Sequence, residues 1–140
     1  MSNAQAMERI VRDIYIARDS GDVDGILTHI EAGCSFRIVG GPMLGALSQG
    51  CCGPDSIRCA MQGLVDHWDT TKVDVVHISI SGDTVFAHRA GKVRFIPDDI
   101  EFETEIADKF VFRDGRVVEV LEFIDTLTMA EHVGLLKQTA

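Results

Sequence analysis

The chain has 140 residues, 46% of them apolar and 25% charged, which is enough for one core of ordinary size in a globular protein. Its formal net charge of −9 argues against nucleic acid and anionic membrane surfaces as partners. No apolar run approaches the roughly 18 residues of a membrane span, and no basic region followed by an apolar stretch opens the chain, so a cytoplasmic location is expected.

In chain order, residues 6–19 read as a helix, because Ile10, Val11, Ile14 and Ala17 or Arg18 recur on one face. Ser2-Asn3-Ala4 looks like a cloning remnant. Residues 1–5 are therefore set outside the fold as disordered or appended, and residues 6–137 are read as a single domain. Gly21 ends the first helix. Asp22 can cap a second one over Val23 to Ala32, with Ile26, Leu27 and Ile30 facing inward. Cys34 to Val39 reads as a strand. Gly40 to Gly53 reads as a loop and contains no phosphate-binding or dinucleotide fingerprint. Pro54 suits the first turn of a third helix, whose apolar spacing (Ile57, Ala60, Met61, Leu64, Val65, Trp68) runs to about Asp69.

The remainder reads as strands: Lys72 to Ser81, Thr84 to Ile96 with a bend or bulge at Gly91, Ile100 to Phe112, and a last strand through Val117 to Ile124. Ser81-Gly82-Asp83, Pro97-Asp98-Asp99 and Asp114-Gly115 supply the turns, the last being a strong hairpin signal. Thr128 to Lys137 can form a short terminal helix. Helices first and an antiparallel meander after them imply an α+β fold, with helices covering one face of a curved sheet and a cavity between.

Cys34, Cys51, Cys52 and Cys59 form no CxxC pair and have no His at zinc spacing, so no metal site and no cofactor are expected. They read as reduced thiols. The sharper alternative, a nucleophilic or redox Cys51 or Cys52, requires a base nearby to lower the thiol pKa.

Three stretches carry a resemblance: SGDVDGI at 20–26, GPDSI at 53–57 and ADKFVFRDGRVVEVLEFIDT at 107–126. With the order of elements, they resemble the nuclear-transport-factor-2-like superfamily, and within it the SnoaL-like (polyketide cyclase-like) branch. The resemblance implies a cone-shaped, cystatin-like α+β fold with N-terminal helices packed on a strongly curved, mostly antiparallel sheet. It also implies a homodimer and a pocket for a small hydrophobic molecule. Ketosteroid isomerases of the superfamily carry a base Asp that falls here at Ile38. Their oxyanion-hole Tyr falls near Ile14, one residue and roughly 100° of helix from Tyr15. Their oxyanion-hole Asp matches Asp108. Limonene epoxide hydrolases use an Arg matched by Arg89, an Asp where Gly91 stands, and a second Asp where Glu122 stands. SnoaL-like cyclases use a carboxylate base, a role open to Asp108 or Glu122.

Strand alternation groups the candidates. Glu122 shares a face with Val118, Val120 and Ile124; Asp108 with Phe110 and Phe112; Arg89 with Ala87 and Gly91. Arg89, Asp108 and Glu122 are thus candidate catalytic residues, or a buried ion triad that only neutralises itself. Tyr15, Trp68, Phe110, Phe112 and Val120 are candidate ligand contacts, though Trp68 reads equally as core and Tyr15 as pocket or interface. His77 and His88 lie on adjacent strands and suggest the scytalone-dehydratase branch, but His88 is out of phase with Arg89. Val117, Leu121 and Phe123 would form an apolar outer face for a homodimer to cover. The function expected is cofactor-free acid–base chemistry on a small oxygenated molecule. The alternative is a non-catalytic binding or dimerisation module of the same fold.

Overall fold

A computed structural model describes residues 2–136, with the backbone alone for residues 43, 46 and 47. Helix α1 spans Asn3–Asp19. It begins before the expected residue 6, because Ser2 and Gln5 form a reciprocal capping box that satisfies its first backbone donors. The segment set aside as disordered or appended is therefore helical from Asn3 on.

Helix α2 is only Val23–Leu27, capped by Asp22 through the Gly25 N–H, and strand β1 runs Ile30–Ile38. The longer second helix read from local spacing is replaced by strand pairing. Ile30 is in register with Val117, and the Val117 N–H donates to the His29 carbonyl. The glycine-rich segment is not a plain loop. It holds 3₁₀ turns over Pro42–Ser48 and a short strand β2, Cys51–Cys52, which pairs with Ser35 and Phe36.

Helix α3 spans Pro54–His67 and ends one residue before Trp68, which opens strand β3, Trp68–Ser81, in an extended conformation. Trp68 pairs with Phe95 and packs on its ring at 4.8 Å. Strand β4 is Thr84–Phe95, β5 Ile100–Arg113, β6 Arg116–Ile124, and helix α4 Thr126–His132. Asp125 caps α4 through the Thr128 N–H; Lys137, the far end of the expected terminal helix, lies outside the described residues.

One six-stranded curved sheet results, in the order β2-β1-β6-β5-β4-β3. Only β1 and β6 pair in parallel. The β5–β6 turn places Asp114 and Gly115 both at positive φ, as an Asp-Gly hairpin requires. Next to it a bulge pairs Val111 with Glu119 and Phe112 with Val117, leaving Val118 as the extra residue. Val117 is therefore fully buried in the core, not on the outer face, and Val118 leaves the inner row.

The sheet's concave face holds two apolar clusters. One contains Val85, Ala87, Phe110 and Val120 and packs against α1 to α3; the other contains Val93, Phe102, Ile106 and Met129. Between them β4, β5 and β6 each contribute one charged residue: Arg89, Asp108 and Glu122. Among the described residues no helix is long and apolar enough to cross a membrane.

Candidate functional site

The site starts as a row across the sheet. Ala87, Asp108 and Glu122 are direct cross-strand partners, and Arg89 lies two residues beyond Ala87 on the same face. Arg89 donates to Asp108 Oδ2 from Nε at 3.2 Å and from Nη2 at 3.0 Å. The Tyr15 hydroxyl donates to the same oxygen at 2.7 Å. The Arg89 guanidinium also lies over the Tyr15 ring, 4.3 Å from its centre. Three donors thus converge on one carboxylate oxygen, two of them from a guanidinium.

Glu122 is placed differently. Its nearest cationic atom, Arg89 Nη2, is 3.7 Å away, too far for a hydrogen bond. Burial first, and then the neighbouring Asp108 charge, raise its pKa well above the ordinary carboxyl range. Among the described residues Asp108 Oδ1 is buried with no hydrogen-bond donor. A proton on Glu122 removes that deficit, because the carboxyl can then donate to its cross-strand neighbour. Burial and the neighbouring charge thus favour the neutral form of Glu122 in this pair.

Helix α1 closes the site from above. Val11, Ile14, Tyr15 and Arg18 follow helical spacing on its inward stripe. Tyr15, one residue from the position the isomerase pattern uses, still faces the cavity, and its ring packs edge-on against Phe110 at 5.9 Å. Burial and the Asp108 charge push the Tyr15 hydroxyl far above its usual range, so it is a permanent donor. Arg18 donates from Nη2 to the carbonyls of Leu64 and Trp68, both at 2.8 Å. It thereby ties α1 to the C-terminus of α3.

Two small chambers flank the polar row. The outer one, about 60 Å³, includes Trp68, Thr70, Phe102 and Ile106 in its wall; the inner one, about 50 Å³, includes Tyr15, Asp108, Phe110 and Val120. Arg18, Leu64, Arg89 and Glu122 line both. A wider mouth of about 450 Å³ shares Ile38, Leu64 and Trp68 with the outer chamber. The outer chamber and the mouth are thus neighbours, meeting at Ile38, Leu64 and Trp68.

The family model for the SnoaL-like domain matches residues 11–120. The chain belongs to the SnoaL-like domain family. Solved structures share its fold. A Bacillus subtilis protein provisionally named an isomerase is 15% identical, with 99% of this chain and 100% of that one covered and a TM-score of 0.85. An NTF2-like protein of unknown function from Burkholderia pseudomallei is 19% identical, with 95% and 98% covered and a TM-score of 0.80. A Xanthomonas campestris protein provisionally named a polyketide cyclase is 18% identical, with 94% and 99% covered and a TM-score of 0.74. No curated protein matches the sequence.

In this SnoaL-like protein the structure brings Tyr15, Arg89, Asp108 and Glu122 together, and places Trp68, Phe110 and Val120 in the chamber walls. Phe112 does not join them. It lies two residues further along β5, inside the first apolar cluster and away from the chambers. Gly91 stands where the hydrolase pattern has an acid. A Cβ there would strike the Lys72 carbonyl, so the packing of β3 on β4 admits no side chain at that position. Ile38, at the isomerase base position, lines the outer chamber as an apolar wall. His88 points to the outer face, bonded to Glu105, as its phase predicts.

All four cysteines are free. Burial pushes the Cys34 thiol up to about 12 and raises Cys51 as well, the reverse of what a nucleophilic thiol needs. Among the described residues no three His, Cys, Asp or Glu side chains are grouped to hold a metal. The residue that sequence reasoning passed over is Arg18. Its signal was present: it lies three residues after Tyr15 and four after Ile14 on the inward stripe.

Proposed function

We propose that this SnoaL-like protein binds a small, largely apolar, oxygenated molecule and moves a proton on it, with Glu122 as the transferring group. The observation that carries the reading is the Asp108–Glu122 pair. One oxygen of Asp108 takes three donors; Glu122, whose burial favours its neutral form, borders both chambers. A neutral carboxyl can give its proton to a carbonyl oxygen, and the carboxylate left behind, stabilised by the nearby Arg89, then takes the α-proton from carbon, so that an enol forms and the carboxyl is restored. Asp108 and Tyr15 are positioning groups in this scheme, because neither has a free edge towards the chamber comparable to that of Glu122. Cyclases and isomerases share the fold, and that supports the class of chemistry without fixing a substrate.

Exchange of α-protons in small aryl 1,3-diketones, followed by proton NMR in D₂O, tests the reading. Acceleration by the wild type that falls by about 10²-fold or more in Glu122→Gln supports proton transfer. Binding of the same diketones without exchange in either protein overturns catalysis and leaves a binding module.

We also infer a homodimer, supported by Phe86 and Phe123, exposed on the outer face of β4 and β6. Sedimentation of a strictly monomeric species at micromolar concentration overturns that. The four free thiols support a cytoplasmic location.

A further inference from the structure

Arg18 is the least satisfied cation in the interior. It lines both chambers, yet hydrogen-bonds only through Nη2, to two carbonyls. Among the described residues no carboxylate oxygen lies within 4 Å of its guanidinium, and Nε and Nη1 have no protein acceptor. Buried charges are ordinarily paired. Arg89 is: it has Asp108 at hydrogen-bond distance. Partial burial lowers the Arg18 pKa, and the Nε and Nη1 donors that no protein group uses stay open to the chambers and to solvent.

Charge counting gives the same answer. The ionisable groups facing the two chambers are Tyr15, Arg18, Cys34, Arg89, Asp108 and Glu122, and burial raises the Cys34 thiol so that it stays uncharged. With Tyr15 and Glu122 neutral, two cations face one anion, so the cavity carries an excess of one positive charge inside a protein of net charge −9.

Size then limits the ligand. The chambers hold about 60 and 50 Å³. An apolar cavity needs about 150 Å³ to take a benzene ring. A head group of a few atoms fits beside Arg18; a ring does not. The mouth, at about 450 Å³, is lined largely by apolar side chains such as Phe36, Ile38, Trp68 and Phe95, and can take the ring.

Resting on the function proposed above and narrowing its substrate class, we propose that the site takes a small organic anion, an arylalkyl carboxylate or a close equivalent. The carboxylate accepts from the donors that Arg18 leaves free, and the apolar body remains in the mouth against Trp68. The ligand supplies the missing negative charge and leaves Glu122 neutral beside its head group. Arg18 is the specificity residue.

Trp68 is the only tryptophan and stands at the boundary between mouth and chamber, so its fluorescence reports occupancy. Phenylacetate, 3-phenylpropionate and 4-phenylbutyrate are titrated at neutral pH beside their amides, which have the same shape and no charge. The comparison is repeated in Arg18→Gln, which keeps an N–H for the α3 carbonyls. The expected result is at least tenfold tighter binding of one or more carboxylates than of the matching amide. That advantage falls to under threefold in R18Q, which loses more carboxylate affinity than amide affinity. Equal or tighter amide binding overturns the anionic class while leaving the pocket in place. A carboxylate preference that survives in R18Q overturns the role of Arg18. No binding by any of the six overturns the inference, and proton exchange with the diketones then decides the parent reading separately. The wild-type comparison needs no variant, so the anionic class stays falsifiable even if R18Q does not fold.

Discussion

Strands β4 and β5 carry two base–acid contacts of nearly the same length on opposite faces. Arg89–Asp108, at 3.0 Å, has side chains 6% and 2% exposed; His88–Glu105, at 2.9 Å, has side chains 45% and 74% exposed. Sequence supplies a base and an acid to each, the bases one residue apart on β4 and the acids three apart on β5. Water supplies the difference. On the outer face solvent screens the pair, and exposed pairs of this type are worth about 0–1 kcal/mol. On the inner face the charges have lost their hydration, so each needs the others, and a third group, Glu122, gives up its own charge to fit. The inner cluster is a candidate site for the reason that makes it costly: buried groups couple, and coupled groups hold protons at unusual pH.

Breaking the inner pair should have the largest effect. Arg89→Met strands Asp108 as an unpaired buried carboxylate, and a loss of about 3–5 kcal/mol in urea unfolding is expected. A loss below about 1 kcal/mol would mean that the interior is wetter than the packing implies. Removing one donor is the next step down. Tyr15→Phe deletes the 2.7 Å bond to Asp108 and should cost about 1.5–3 kcal/mol by the same assay, since the acceptor is charged.

The third test reads pH. The Glu122 pKa is raised on folding, so the folded state holds a proton that the unfolded chain releases. Its stability contribution is therefore intact below the ordinary value of 4.5 and is lost as pH rises towards the raised one. Relative to Glu122→Gln, the wild type should lose about 1.4 kcal/mol per pH unit across that window, and above it the variant should be the more stable protein. Parallel stability curves for the two proteins between pH 5 and 8 would sink the neutral form of Glu122. The smallest effect belongs to the outer pair. Glu105→Gln should change stability by less than about 0.5 kcal/mol, and added salt should shrink that further.

Several features were legible in the residues themselves. Alternation on β4 and β5 placed Ala87 with Arg89 and Asp108 with Phe110 on one face, because a strand has period two wherever its ladder is regular. Asp114-Gly115 announced its turn, because few residue pairs accept two positive φ angles. Helical spacing announced α1 and most of α3. The matches of Arg89 and Asp108 to known patterns pointed to the interior row before any coordinates.

Other features depended on partners far away in the chain. Val117 turned inward because a bulge at Val118 shifted the register, and a bulge answers to both strands at once. The second helix stopped at Leu27 because β6 offered Ile30 a ladder worth more than another helical turn. Phe112 and Phe110 look alike in sequence, yet only Phe110 reaches a chamber, since cavities form where α1, α3 and the sheet fail to meet. Arg18 looked like any polar residue near a helix end until α3 arrived beneath it. Sequence by itself determined which groups this protein owns and on which face of each element they stand. Tertiary structure alone decided which of them lose their water together, and that loss favours the neutral form of Glu122 and sets Arg18 beside it with two donors that no protein group uses.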